Sequence, residues 1–264
     1  MFKLVLFFTF SLSFAMTLED CKEMALQYGV DLGAERISKG CHYIIRKNAN
    51  FHQVDHSPNK FRQYYGVANM IYIKIFDQKA SLKVSGIVAG LYTGLKEIIA
   101  IDYDEVGDLV YALNEDEQGE RFIVAVQGNQ AGARATRVKL YSSELSGATN
   151  LRADRKNGHL YVTGPQWVKV FNIDAHHKSA RPEQSIEVLK SLEGNNTNLG
   201  HPKDLVIIKN KIYVLDFGRI LVFDRNITQT DSAPIEVIPP NQKSGLAMGL
   251  ENVGGEIKII YKRK

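Results

Sequence analysis

Four aspartates, Asp102, Asp104, Asp154 and Asp204, stand at or near the ends of short β-rich runs. Carboxylates from separate strands that meet at one point form the hard-oxygen cage favoured by a divalent cation such as Ca2+, so these residues are candidate metal ligands. The competing reading is that each accepts a turn hydrogen bond from a nearby backbone N–H, the ordinary task of an aspartate at a strand end. A second group, Trp167, His201, Asp216, Phe217 and Arg219, mixes aromatic, cationic and anionic side chains near predicted turns. That mixture suits recognition of a ligand, although Trp167 serves equally well as a packed core residue. No complete catalytic set accompanies either group. His52 and His56 are four apart, but Gln53-Val54-Asp55 between them lacks the glutamate of H-E-x-x-H. The sequence contains no G-x-S-x-G, P-loop or dinucleotide fingerprint.

Whether those residues meet depends on the strands that carry them. From residue 97 the chain runs EIIAID, DLVYAL, RFIVAVQ and RVKLY, four β-rich segments separated by turn-forming residues. The pattern returns as Leu151 to Asp154, His159 to Thr163, Trp167 to Asn172 and Ser185 to Leu189. It returns again as Asp204 to Ile208, Lys211 to Asp216, Arg219 to Asp224 and Pro234 to Ile238. Equivalent strands keep nearly one interval. Leu109, Leu160 and Ile212 are 51 and 52 residues apart, and Val138, Ile186 and Ile235 are 48 and 49 apart.

Tandem units of four antiparallel strands with this period are the signature of a β-propeller, in which each blade buries its faces against its neighbours. The stretches EIIAIDYDEVGDLVYAL, NLRADRKNGHLYVTGPQWVKVFN and HPKDLVIIKNKIYVLDFGRILVFD resemble NHL-type and, more broadly, lactonase and gluconolactonase-like propeller repeats over about residues 97–240. The resemblance implies an all-β propeller of four to five blades. It also implies that an acidic and amide cluster on the central axis binds a divalent metal in the enzymes of that group. No residue-by-residue catalytic match carries over to this chain. In a blade of alternating strands, the turn between the second and third strands and the connection to the next blade emerge on one face. That geometry groups Trp167, His201, Asp216, Phe217 and Arg219 as a candidate binding surface.

The flanks suggest ring closure, with Gly245 to Glu251 and Glu256 to Tyr261 completing a last blade together with Met70 to Asp77 and Ser81 to Val88. Residues His42 to Val67 supply either a fifth blade or part of a cap. Residues 1–15, an apolar run after Lys3 ending at Ser13-Phe14-Ala15, read as a secretory signal. Residues 16–45 form an N-terminal segment with a short helix over Thr17 to Tyr28, and 46–264 form the propeller domain. Cys21 and Cys41 are the only cysteines. In an exported chain they form a disulfide contributing about 3 kcal/mol. The net charge of +4 is too small to point to nucleic acid, and no later apolar run is long enough to span a bilayer. The expectation is therefore a secreted or periplasmic propeller that binds a protein, peptide or glycan on one face, without catalysis. Its alternative is a metal-dependent, lactonase-like hydrolase.

Overall fold

The computed structural model describes residues 53–54, 62–67, 70–76, 82–89, 93–104, 107–128, 138–173, 183–239, 247–253 and 255–261. The signal-like segment, the Thr17 to Tyr28 helix, Cys21 and Cys41 lie outside the described residues.

The described chain is mostly β and folds into five sheets. The first holds β1 (Gln53–Val54), β2 (Arg62–Val67), β3 (Met70–Phe76) and β4 (Leu82–Val88). The second holds β5 (Glu97–Asp104), β6 (Leu109–Glu115), β7 (Arg121–Gln127) and β8 (Val138–Tyr141). A parallel strand, β12 (Glu183–Ser185), is added beside β8. The third holds β9 (Asn150–Asp154), β10 (His159–Gly164), β11 (Trp167–Asn172) and β13 (Val188–Glu193). The fourth holds β14 (Pro202–Ile208), β15 (Lys211–Asp216), β16 (Arg219–Asp224) and β17 (Glu236–Ile238), and the fifth pairs β18 (Ala247–Val253) with β19 (Glu256–Tyr261). Apart from β12, consecutive strands pair antiparallel.

Two expectations are corrected. β3 and β4 do not join β18 and β19; they pair with β1 and β2 in a sheet of their own, and β18 and β19 pair with each other. The fourth strand of the third sheet is Val188–Glu193 rather than Ser185 to Leu189. Glu183–Ser185 instead extends the neighbouring sheet, and the Ile186 N–H donates to the Tyr141 carbonyl at 2.8 Å. The cause is burial. Ile186 is drawn into the apolar layer between the second and third sheets, and a register shift at Val170/Phe171 absorbs the offset.

Strand alternation explains why the middle sheets read as nearly continuous apolar runs. In β6, Leu109, Tyr111 and Leu113 pack toward the third sheet, while Val110 and Ala112 pack toward the first. In β10, Leu160 and Val162 face the second sheet and Tyr161 faces the fourth. In β15, Ile212 and Val214 face the third sheet and Leu215 faces the fifth. Each middle sheet thus buries both faces, which no single four-stranded unit could do alone. The opening strands β5, β9, β14 and β18 touch in succession. They place one edge of the second to fifth sheets along a common inner line.

Candidate functional site

Arg152 lies on that inner line, on β9 between Leu151 and Ala153, whose side chains face the second sheet. The alternation of the strand turns Arg152 to the other face, toward the fourth sheet. Its Nη1 donates to Asp102 Oδ1 of β5 at 3.0 Å. Its Nη2 donates to both carboxylate oxygens of Asp204 on β14, at 3.0 and 3.1 Å. Nε donates to the Leu205 carbonyl at 3.0 Å and Nη2 to the Leu250 carbonyl of β18 at 3.4 Å. The carboxylates are themselves held by backbone. Asp102 Oδ2 accepts from Ala153 N–H at 2.7 Å, and Asp204 Oδ2 accepts from Leu250 N–H at 2.9 Å. Asn150 Nδ2 adds a bond to Asp204 Oδ1 at 2.9 Å.

One guanidinium therefore ties the inner strands of four sheets. Burial pushes the Asp102 carboxyl above the usual carboxylate range, and the Arg152 cation pulls against that shift without overcoming it. Burial would depress Arg152, but Asp204 and Asp102 more than offset it, so the guanidinium stays charged.

The four aspartates read as candidate metal ligands separate in the structure. Asp102 and Asp204 come together, but around Arg152. Asp104 accepts from the Gly107 N–H at 3.2 Å in the β5–β6 turn. Asp154 pairs with Arg225, whose Nε donates to the Tyr161 hydroxyl at 3.1 Å. Burial, with Arg225 opposing, raises the Tyr161 phenol above its usual range. Among the described residues no group of three or more His, Cys, Asp or Glu side chains is placed to hold a metal ion.

The second group converges at the rim. The β10–β11 turn (Pro165, Gln166), the β15–β16 turn (Phe217, Gly218) and the connection from β13 to β14 lie together there. Asp216 is wholly buried and accepts from the backbone N–H groups of Gly200 and His201, pinning that connection. Arg219 Nη2 donates to Asp216 Oδ2 at 3.3 Å and to the Asn198 carbonyl at 2.8 Å. Its Nε is buried without a hydrogen-bond partner.

Phe217 is 66% exposed and sits at φ +48, with Gly218 at φ +84. This is a two-residue hairpin turn with positive φ at both positions, where Asn-Gly is the usual choice. A bulky side chain in that conformation is strained, by about 1–2 kcal/mol. Its ring rests on Gly200, where an added Cβ would lie 2.3 Å from Cε2, and is tilted against His201 with centroids 6.0 Å apart.

Trp167 is not a free anchor. It is 9% exposed, and its ring lies on Gly164, where a Cβ would approach ring carbons to 2.0–2.6 Å. Lys169 Nζ stands 4.8 Å from the ring centroid. The Trp167 edge still reaches a cleft of about 420 Å³, with Glu193, Asn195 and Asn198 among the other residues lining it.

The structure thus joins His201, Asp216, Phe217 and Arg219 and sets Trp167 nearby, across Asn198. Sequence reasoning missed Arg152. The available signal was its interval: it lies 50 residues after Asp102, with opposite charge at the same register. Asp102 pairs with Tyr111 across the sheet, and Arg152 pairs with Tyr161.

No protein-family model and no curated protein matches the sequence. Similar solved structures include a functionally unknown protein from Desulfotomaculum acetoxidans DSM 771, with a TM-score of 0.57 at 10% identity over 81% of this chain and 63% of that one. A protein from Lactobacillus plantarum has a TM-score of 0.53 at 13% identity over 80% of this chain and 58% of that one. The chain spans less than two thirds of either protein, and at these identities the likeness concerns the fold alone.

Proposed function

We propose that the chain is an exported β-propeller whose rim recognises a protein, peptide or glycan without transforming it. Five sheets touching in sequence order, with the opening strands of the second to fifth on one line, support the propeller reading. The observation that carries the binding reading is the rim assembly. A strained, exposed Phe217 and a cleft stand on a connection pinned by buried Asp216. Strain of that kind persists where surrounding structure enforces it, and it concentrates at recognition sites.

Arg152 weighs against the hydrolase alternative, because a guanidinium already occupies the point where Asp102 and Asp204 converge. Purified protein applied to an array of peptides and glycans tests the reading. Binding that falls with Phe217→Ala supports it. Binding indifferent to that variant, or lactone hydrolysis that depends on an added divalent ion, overturns it.

A further inference from the structure

The cleft beside Phe217 has a lining that selects among ligand classes. Its one ionisable lining side chain is Glu193. Two cations that touch the lining residues are already matched: Lys169, over Trp167, pairs with Glu144, and Arg219, bonded to the Asn198 carbonyl, pairs with Asp216. Glu193 is left with a neutral partner for its side chain, the Ser191 hydroxyl at 3.0 Å. It forms no ion pair among the described residues. The remaining polar lining is the amide side chains of Gln166, Asn195 and Asn198, all exposed. A half-buried carboxylate, with side-chain amides beside it whose oxygens can also accept, suits a donor-rich cation.

Trp167 gives a sugar no stacking platform in this cleft. A stacked saccharide needs an open ring face, but Gly164 backs the Trp167 ring and Lys169 stands over it, leaving an edge.

We infer that this cleft takes the lysine or arginine side chain of a peptide partner, with Glu193 as its counter-ion and Phe217 beside it for the flanking apolar residue. This rests on the rim-binding reading above and narrows it to one ligand class.

Trp167, the only tryptophan in the chain, reports on the site. The full chain is titrated by tryptophan emission with a capped glycyl-lysyl-glycine peptide, its norleucine counterpart, and the disaccharide of N-acetylglucosamine. The lysine peptide is expected to give a saturable change that Glu193→Gln weakens about tenfold, the loss of one charge-assisted contact. Raising salt from about 0.05 M to about 0.5 M weakens it too. Glu256→Gln, which removes an exposed carboxylate on β19, leaves it unchanged. Should Glu193→Gln fail to fold, Asn195→Leu places an apolar side chain at the cleft and is expected to weaken the same titration.

Equal response to the norleucine peptide, or binding unchanged in both cleft variants, overturns the inference. Response to the disaccharide alone overturns it while sparing rim binding. Silence toward all three probes overturns it; rim binding itself falls only if array binding is also absent or ignores Phe217→Ala.

Discussion

Replacing Arg152 by methionine tests the central cluster most directly, because the cost follows from what is left behind. Methionine keeps an unbranched apolar stem but supplies no charge and no donors. Asp102 and Asp204, 7% and 4% exposed, then face each other without the cation that joins them, and the Leu205 carbonyl loses a donor. Removing one partner of a buried ion pair costs about 3–5 kcal/mol, since the remaining charge stays desolvated. Chemical denaturation followed by circular dichroism would measure it at pH 7.

The pH dependence gives a second handle. The folded-state pKa of Asp102 already lies above its ordinary 3.8, and Arg152 is the largest influence holding it down. In the variant it rises further. A carboxyl raised on folding adds stability below its unfolded value and loses it as pH climbs through the folded value. The deficit of the variant should therefore be greatest at neutral pH and shrink toward about pH 4.5. Adding Asp102→Asn to Arg152→Met should recover part of the loss at pH 7 by removing one uncompensated charge. A deficit under about 1 kcal/mol at pH 7, or one of constant size down to pH 4.5, would refute the argument.

Three further outcomes follow from the rim and the core. Phe217→Asn, placing a residue tolerant of positive φ in the β15–β16 turn, should raise stability by about 1 kcal/mol in thermal melts while weakening rim binding. Gly164→Ala sets a methyl group into the Trp167 ring; we expect a loss of at least 2 kcal/mol and red-shifted emission as the indole is displaced, about the cost of overpacking. Leu160→Ala, at a fully buried position between the second and third sheets, should cost about 2–5 kcal/mol in urea denaturation.

Much of the strand pattern was legible because sheets buried on both faces leave a strong local trace. KIYVLD and RILVFD are apolar at all four central positions, and the turn between them is short. The interval of about fifty residues then ties equivalent strands together, as at Leu160 and Ile212, both fully buried. The site was legible in part. Asp216, Phe217, Arg219 and His201 converge as their positions in alternating strands require. Trp167 was ambiguous because its packing depends on Gly164 across the turn, a contact that composition does not encode.

The sequence by itself determined the alternation, the turn positions and the repeat, since these depend on neighbours a few residues apart and on the burial of alternate side chains. Only the tertiary structure decided which charges meet. Asp102, Arg152 and Asp204 are some fifty residues apart, and their pairing exists because inner strands from successive sheets approach each other. The same reason explains the placement of Glu183–Ser185 on its neighbour's edge and the self-contained pairing of β18 with β19. Each is settled by what a strand finds beside it after the sheets have stacked, and that is a property of the assembled layers.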